Sequence, residues 1–324
     1  MLRTFVTVLI AGMCFSACAG KHAQTVNVPQ VAASIAIAGN PAQGAQTPPS
    51  AVPPLQPGDT LDVNLVLLDR TLEIAPGVKY QAWTFNGTVP GPVIHARVGQ
   101  TIEVTLTNKS SMGHSIDFHS ALAPPDIAYQ TIPPGKSIHY SWVARYPGVF
   151  LYHCGTPPVL AHISNGMYGA VVVDPQGGWG DPAQSFVLLQ SEFYTQPVPG
   201  LRDVVRGDVA KMKTAMPDVV AFNGDAFQYM RAPLVIKTDQ LVRMFIVNAG
   251  PSHFSAFHVV GTIFDRAFID GNPANELHGL QTMPVPPGDG AMVEFTVHQR
   301  SRYPFLTHSF GDADDGAMGF FAAS

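Results

Sequence analysis

The chain has 324 residues, a formal net charge of −5 and only 13% charged residues. No basic stripe is present, which argues against a nucleic-acid partner. The three cysteines are too few for a disulfide framework.

Residues 1–19, MLRTFVTVLIAGMCFSACA, read as a signal peptide: Arg3 supplies the charge, Phe5 to Phe15 the apolar stretch, and small residues follow. The apolar run is too short to span a bilayer, so the expectation is export. Phe15-Ser16-Ala17-Cys18 resembles a bacterial lipobox, although Phe15 is unusual there; the expectation is a lipidated Cys18 at the mature N-terminus, the alternative ordinary cleavage near Ala19, and with lipidation Ala19 favours the outer membrane. Residues 20–57 are rich in Ala, Gln, Pro and Gly with almost no charge. Such a segment cannot bury enough surface to offset its ordering entropy and reads as a flexible tether.

Beyond the tether, about 265 residues suffice for one large domain or two of ordinary size. Short β-rich runs recur: LDVNLVLLD, GPVIHARVG, TIEVTLTN, HYSWVA, GAVVVD, SFVLLQ, PLVIKTD, LVRMFIVN and MVEFTV, broken by Gly, Pro, Asn and Asp. They predict antiparallel β-sandwiches. LRDVVRGDVAKMKTA, residues 201–215, has helical apolar spacing and stops before Pro217, which predicts one helix.

The chain also repeats itself. Phe85-Asn86-Gly87 before TIEVTLTN corresponds to Phe222-Asn223-Gly224 before LVRMFIVN, HSIDFH (114–119) to HFSAFH (253–258), and Phe150-Leu-Tyr-His153 to Phe305-Leu-Thr-His308. Two related sandwiches are therefore expected, joined near residues 174–182. Their copies are unequal: Ser309 stands at the place of Cys154, and His162 has no counterpart. A soft metal site belongs in the first copy alone.

Cys14 lies in the signal and Cys18 at its processing site, so Cys154 is left without a disulfide partner in the mature chain. In an oxidising compartment a lone thiol calls for burial or a metal. His114, Cys154, His162 and Met167 have the composition of a blue-copper centre, two imidazoles, a thiolate and a weak thioether. Taken singly, such a Cys or Met is usually core filler. Together, in Cys-x7-His-x4-Met with a histidine forty residues upstream, they point to type 1 copper. Because neighbouring side chains of a strand face opposite ways, His153 is expected to point away from Cys154. His119, an odd number of residues from His114, is expected on that second face too. With His308, the repeat counterpart of His153, they make three imidazoles and an open position, a catalytic copper site.

HSIDFH, LYHCGTPPVLAHISNGMYG, SAFHVVGTIFD and FLTHSFGDADDGAMG resemble the copper-containing nitrite reductases, and in particular their lipid-anchored outer-membrane form. The resemblance implies an all-β chain of two tandem cupredoxin-like Greek-key sandwiches, 58–175 and 183–324, with one or two short helices. It implies two coppers per subunit, type 1 on His114, Cys154, His162 and Met167, and type 2 on His119 and His153 with His308 of a neighbouring subunit in a homotrimer. Asp117 and His258 match the family's catalytic residues, and Val260 the aliphatic residue over the substrate, where Ile is commoner. Implied with these are reduction of nitrite to nitric oxide, an electron route through Cys154 and His153, an external donor (a cytochrome c or a cupredoxin), and a periplasmic or outer-membrane place in a Gram-negative bacterium. The competing readings are a type 1 electron-transfer lipoprotein and a two-domain multicopper oxidase; the latter needs His-x-His pairs, and this chain has none. His22, His95, His139, His278 and His298 join no cluster, and His253 reads as a vestige of His114 without partners.

Overall fold

The computed structural model describes residues 50–324. The signal peptide, Cys18 and most of the expected tether lie outside them. Residues 50–57 lie on the fold: the Val187 amide donates to the Ser50 carbonyl (2.6 Å), and His95 Nδ1 meets the Pro53 carbonyl (2.6 Å).

The first half comprises β1 (Thr60–Ala75), β2 (Val78–Phe85), β3 (Ile94–Arg97), β4 (Thr101–Asn108), β5 (Asp117–Phe118), helix α1 (Pro125–Ala128), β6 (Ser137–Val143), β7 (Gly148–His153), helix α2 (Val159–Ser164) and β8 (Tyr168–Asp174). The second comprises β9 (Gln184–Phe193), β10 (Thr195–Pro197), β11 (Val204–Gly207), α3 (Val209–Thr214), β12 (Val219–Phe222), α4 (Gln228–Arg231), β13 (Leu234–Ile236), β14 (Leu241–Gly250), β15 (Ser255–Val259), β16 (Phe264–Ile269), β17 (Glu276–Leu280), β18 (Met283–Val285), β19 (Gly290–Thr296), β20 (Arg302–Thr307), α5 (Phe310–Asp314) and β21 (Met318–Ala323). Four sheets result, ordered β10-β11-β2-β1-β4-β6, β3-β8-β7-β5, β12-β9-β14-β19-β16-β17 and β13-β21-β20-β15-β18.

The sheets are mixed rather than antiparallel throughout. β1 runs parallel to β4, β3 to β8, β9 to β14 and β13 to β21. A strand that leaves its sheet, crosses the sandwich and returns re-enters from the same end, so crossovers produce parallel neighbours where hairpins cannot. The helix expected over 201–215 also gives way in part. Val204 and Val205 pair with Lys79 and Tyr80 of β2, so tertiary pairing claims the first part as β11. Only Val209–Thr214 is helical; Asp208 caps it by accepting from the amides of Ala210 and Lys211, and Ala215 ends it in the left-handed region at φ 51°. All five α-helices among the described residues are one or two turns long.

β7 decides where the chemistry sits. Among the described residues three apolar cores are present, one inside each half and one between them. β7 separates two of these: Tyr152 and Cys154 belong to the core of the first half, while Val149 and Leu151 pack into the core between the halves. β8 beside it is buried on both faces, with Val171 and Val173 on one side and Ala170 and Val172 on the other. A one-residue slip of β7 would exchange these sets. Each large apolar side chain is worth about 1.5–3 kcal/mol when fully buried, so the register is firmly held.

The seam between the halves is close-set. The Val149 amide donates to the Asp270 carbonyl (2.8 Å), and a Cβ added at Gly290 would overlap the Val149 carbonyl. Gly290→Ala is expected to cost about 2–3 kcal/mol by overpacking. That should lower the melting temperature by roughly 5 °C or more, checked by scanning calorimetry; a melting temperature equal to that of the parent would mean the seam is looser than described.

Candidate metal centres

The first centre is assembled by three short segments. His114 follows β4 and is pinned by reciprocal main-chain bonds with Ile132 (3.2 and 2.7 Å). The buried Asn108 holds that pair by donating to the carbonyls of Met112 and Ile132 (2.7 Å each). Cys154 sits one residue past the end of β7, its amide donating to the Met167 carbonyl (3.1 Å), and the Met167 amide donates to the His162 carbonyl (3.2 Å). The stretch between Cys154 and Met167 thus folds back on itself, with α2 carrying His162 inward.

All four side chains are buried. Cys154 Sγ lies 3.1 Å from His162 Nδ1 and 4.0 Å from His114 Nδ1, and the two Nδ1 atoms are 3.1 Å apart. Burial lowers the pKa of both imidazoles to about 4, with His162 adding to the effect at His114. They are therefore neutral and offer lone pairs. The Ser115 amide points at the sulfur (3.4 Å), and the Trp83 ring lies against both histidines. A thiolate, two neutral imidazoles and a thioether in a dry pocket suit a soft cation, and a bound positive charge is what allows a thiolate to be buried. The donor set fits type 1 copper.

The second centre lies on the other face of β7. His119 Nδ1–H donates to the Gly288 carbonyl (3.0 Å) and His153 Nδ1–H to the Cys154 carbonyl (3.0 Å). Because a carbonyl only accepts, both Nδ1 atoms are protonated and both Nε2 atoms carry lone pairs. These Nε2 atoms face each other at 3.1 Å, and Asp117 Oδ2 is 3.7 Å from that of His153. Two opposed lone pairs call for a cation between them. Burial holds His153 below the ordinary histidine range, and the His119 ring pushes the same way. Asp117 pairs with His153 across β5 and β7, and its Oδ1 is buried with no partner. The regular strand expected between His114 and His119 is absent, since only Asp117–Phe118 is extended. Even so, His114 is buried and His119 reaches the second centre.

His308 and His258 stand apart from this group within one chain. Their rings lie 5.0 Å from each other, His258 on β15 and His308 one residue past β20, with exposed Val260 just beyond β15 and Phe310 against His308. The metal-ligand sets formed by the described residues are His114, Cys154 and His162, and Asp117, His119 and His153.

Main-chain bonding superposes the two halves two residues away from the motif match. Ser115 N to Cys154 Sγ matches Ala256 N to Thr307 Oγ1 (2.9 Å), and His119 N to the Leu151 carbonyl matches Val260 N to that of Pro304. Asn108 serving Met112 and Ile132 matches Asn248 serving His253 and Val285. In space, Ser255, Thr307, Asp312 and Ala317 therefore stand where His114, Cys154, His162 and Met167 do, so His162 does have a counterpart. That set is oxygen-only and cannot hold type 1 copper. His253 is not without partners: it lies 2.7 Å from Asp312 Oδ1 and 3.0 Å from the Ala215 carbonyl. His95 is likewise held, by Pro53 and Asp174. Gly288, Ser115 and Trp83 carry no sequence signal that marks them, because each acts by position in space.

A multicopper oxidase family model matches residues 68–178. The copper-containing nitrite reductase of Neisseria gonorrhoeae is 36% identical over 263 residues, 79% of this chain and 67% of that protein. The structure of the copper nitrite reductase from Nitrosomonas europaea superposes with a TM-score of 0.76 at 35% identity, covering 82% of this chain and 94% of that one. A multicopper oxidase crystal structure follows with a TM-score of 0.72 at 27% identity, covering 82% and 89%.

The depressed imidazoles set a pH dependence for the copper-free protein. As the pH falls from 6.5 to about 4, unfolded His114 and His162 take up protons that the folded pair refuses, so stability is lost across that window. Above 6.5 neither contributes. Melting curves of the copper-free chain should show this decline, and a smaller one in His162→Asn; equal slopes would mean that the pair is not held neutral.

Proposed function

We propose, on the premise that this chain belongs to the copper-containing nitrite reductases, that its second histidine centre is where nitrite is reduced to nitric oxide, with His308 supplied by a neighbouring subunit. The observation that carries this reading is the single peptide bond between His153 and Cys154. It joins a closed, buried ligand set to a half-open one with the Asp117 carboxylate beside it. Copper at the two centres supplies one-electron chemistry and Lewis acidity toward the anion.

The chain's own residues account for the rest. Reduction of nitrite takes one electron and two protons and releases water. The Cys154–His153 backbone is the shortest covalent path between the ligand sets, and the His153 Nδ1 bond to the Cys154 carbonyl holds the imidazole at its end. Asp117 keeps an unpartnered oxygen at the edge of the centre, where it can hold a proton for a departing oxygen. His258, its Nδ1 bonded to the Gln281 carbonyl, is fixed to relay the second. With a lone pair on each Nε2 and His119 exposed, the centre stays open to an anion. The type 1 carrier reading gives no use to Asp117, His258 and His308, and the oxidase reading lacks its paired histidines.

The neighbour's part rests on the surface of the second half. His258 and His308 share a face with exposed Phe254, Val260 and Phe310. An apolar exposed patch around two imidazoles suits an interface, and a head-to-tail contact that closes on itself gives a ring. We read it as a trimer in which each patch seats against the His119–His153 centre of the next subunit, Val260 covering the substrate. Export, lipid attachment through Cys18 to the outer membrane, and a cytochrome c or cupredoxin donor belong to the same reading. Cys18 lies outside the described residues.

The test is nitric oxide release, by electrode, from copper-loaded protein under anaerobic conditions with nitrite and an artificial reductant. Asp117→Asn should lower the rate about 10²-fold or more while both copper signals remain; an unchanged rate would remove Asp117 from the chemistry. Subunit sharing is checked by co-expressing His119→Ala with His308→Ala. Each variant alone should lack type 2 copper, whereas mixed oligomers should regain part of it, because one interface then holds both intact histidines. No recovery would place His308 in the centre of its own chain.

A further inference from the structure

On the Nδ1 side of His119, away from the face shared with His153, lies a cavity of about 330 Å³ in the seam between the halves. Its polar lining is Ser120, Asp270, Asn272 and Asp289, with His119 and Tyr146 at its wall, and no Lys or Arg among the lining residues. Ser120 is only 8% exposed, and its hydroxyl has no hydrogen-bond partner. The carboxyl groups of Asp270 and Asp289 meet; burial first, and then the Asp270 partner, raise the Asp289 pKa to about 6.

These groups are held in place from behind. The Gly290 amide donates to Asp289 Oδ1 (2.7 Å), the Asp270 amide to the Gly290 carbonyl (2.9 Å), and the Val149 amide to the Asp270 carbonyl (2.8 Å). Two adjoining carboxyls and a buried free hydroxyl line one space without a counter-charge, whereas the Asn272 side-chain oxygen accepts from the Ala274 amide (3.0 Å). Every available donor is a hard oxygen, since His119 Nδ1 already donates to Gly288.

We propose that this cavity binds a hard divalent cation of the calcium class, through Asp270, Asp289 and the Ser120 hydroxyl, with water completing the shell. Oxygen-only donors of uneven placement suit calcium, which accepts irregular geometry, better than magnesium, which demands a near-octahedron. They do not suit copper, which favours nitrogen and sulfur. Nitrite is excluded by like charge. A bound cation clamps the segment after β5, which carries His119 and Ser120, to the loops at 270–272 and 286–290, and the second of these carries the Gly288 carbonyl that orients His119.

The probe is calcium chloride added to copper-loaded, full-length protein in calcium-free buffer at pH 7, followed by isothermal titration calorimetry and thermal melting. One saturable site per chain is expected, with a dissociation constant of about 10⁻⁴–10⁻³ M, and a melting temperature that rises with calcium. Asp289→Asn and Asp270→Asn should each weaken binding tenfold or more, and Ser120→Ala less, with the calcium-free variants melting cooperatively. Absence of a saturable site, or equal binding in parent and Asp→Asn variants, overturns the proposal. A melting temperature unmoved by calcium in parent and variants alike would show that the two carboxyls merely share a proton.

Discussion

β7 is caught between two apolar cores, and the chemistry of the chain depends on that. Because Tyr152 and Cys154 are claimed by one core and Val149 and Leu151 by the other, the side chains at 153 and 154 must point to opposite sides of one sheet. A ligand of the buried centre and a ligand of the open one are thereby made covalent neighbours. No loop could hold that arrangement as firmly, since moving either side chain to the wrong face would also move several buried apolar residues.

The two centres are then finished by opposite means. The buried one takes its remaining ligands from its own half, through a chain that turns back on itself so that Cys154, His162 and Met167 are tied by main-chain bonds. The open one depends on the other half, where the Gly288 carbonyl fixes the His119 tautomer. The second half has the same frame with Ser255, Thr307, Asp312 and Ala317 in place of the soft ligands. It keeps the geometry of a metal site and has lost the donors, leaving it free to act as a surface and a support.

Much of this could be read from residue order. Alternation located β4 and the run of β8, and the spacing of Cys154, His162 and Met167 named the buried centre, because its ligands are close in sequence and chemically distinctive. What escaped depends on partners distant along the chain. The stretch over 201–215 has helical spacing, yet Val204 and Val205 are held as strand by β2. The motif match between HSIDFH and HFSAFH is off by two residues in space, since Asn108 and Asn248 set the true equivalence through bonds that composition cannot reveal. His253 looked idle because its partners, Asp312 and Ala215, lie far away in sequence. Carbonyl groups such as that of Gly288 leave no trace in the residue code.

The contact between Gly288 and His119 also has a genetic consequence. In the trimeric reading, the second half of each subunit supports the open centre of its own chain through Gly288 and completes that of its neighbour through His308. A chain whose second half misfolds therefore spoils two centres rather than one. In a cell making sound and faulty chains together, with sound chains a fraction f of those assembled, intact centres scale as f² rather than f. A missense allele there would behave as partly dominant, whereas a lesion confined to the buried centre would not.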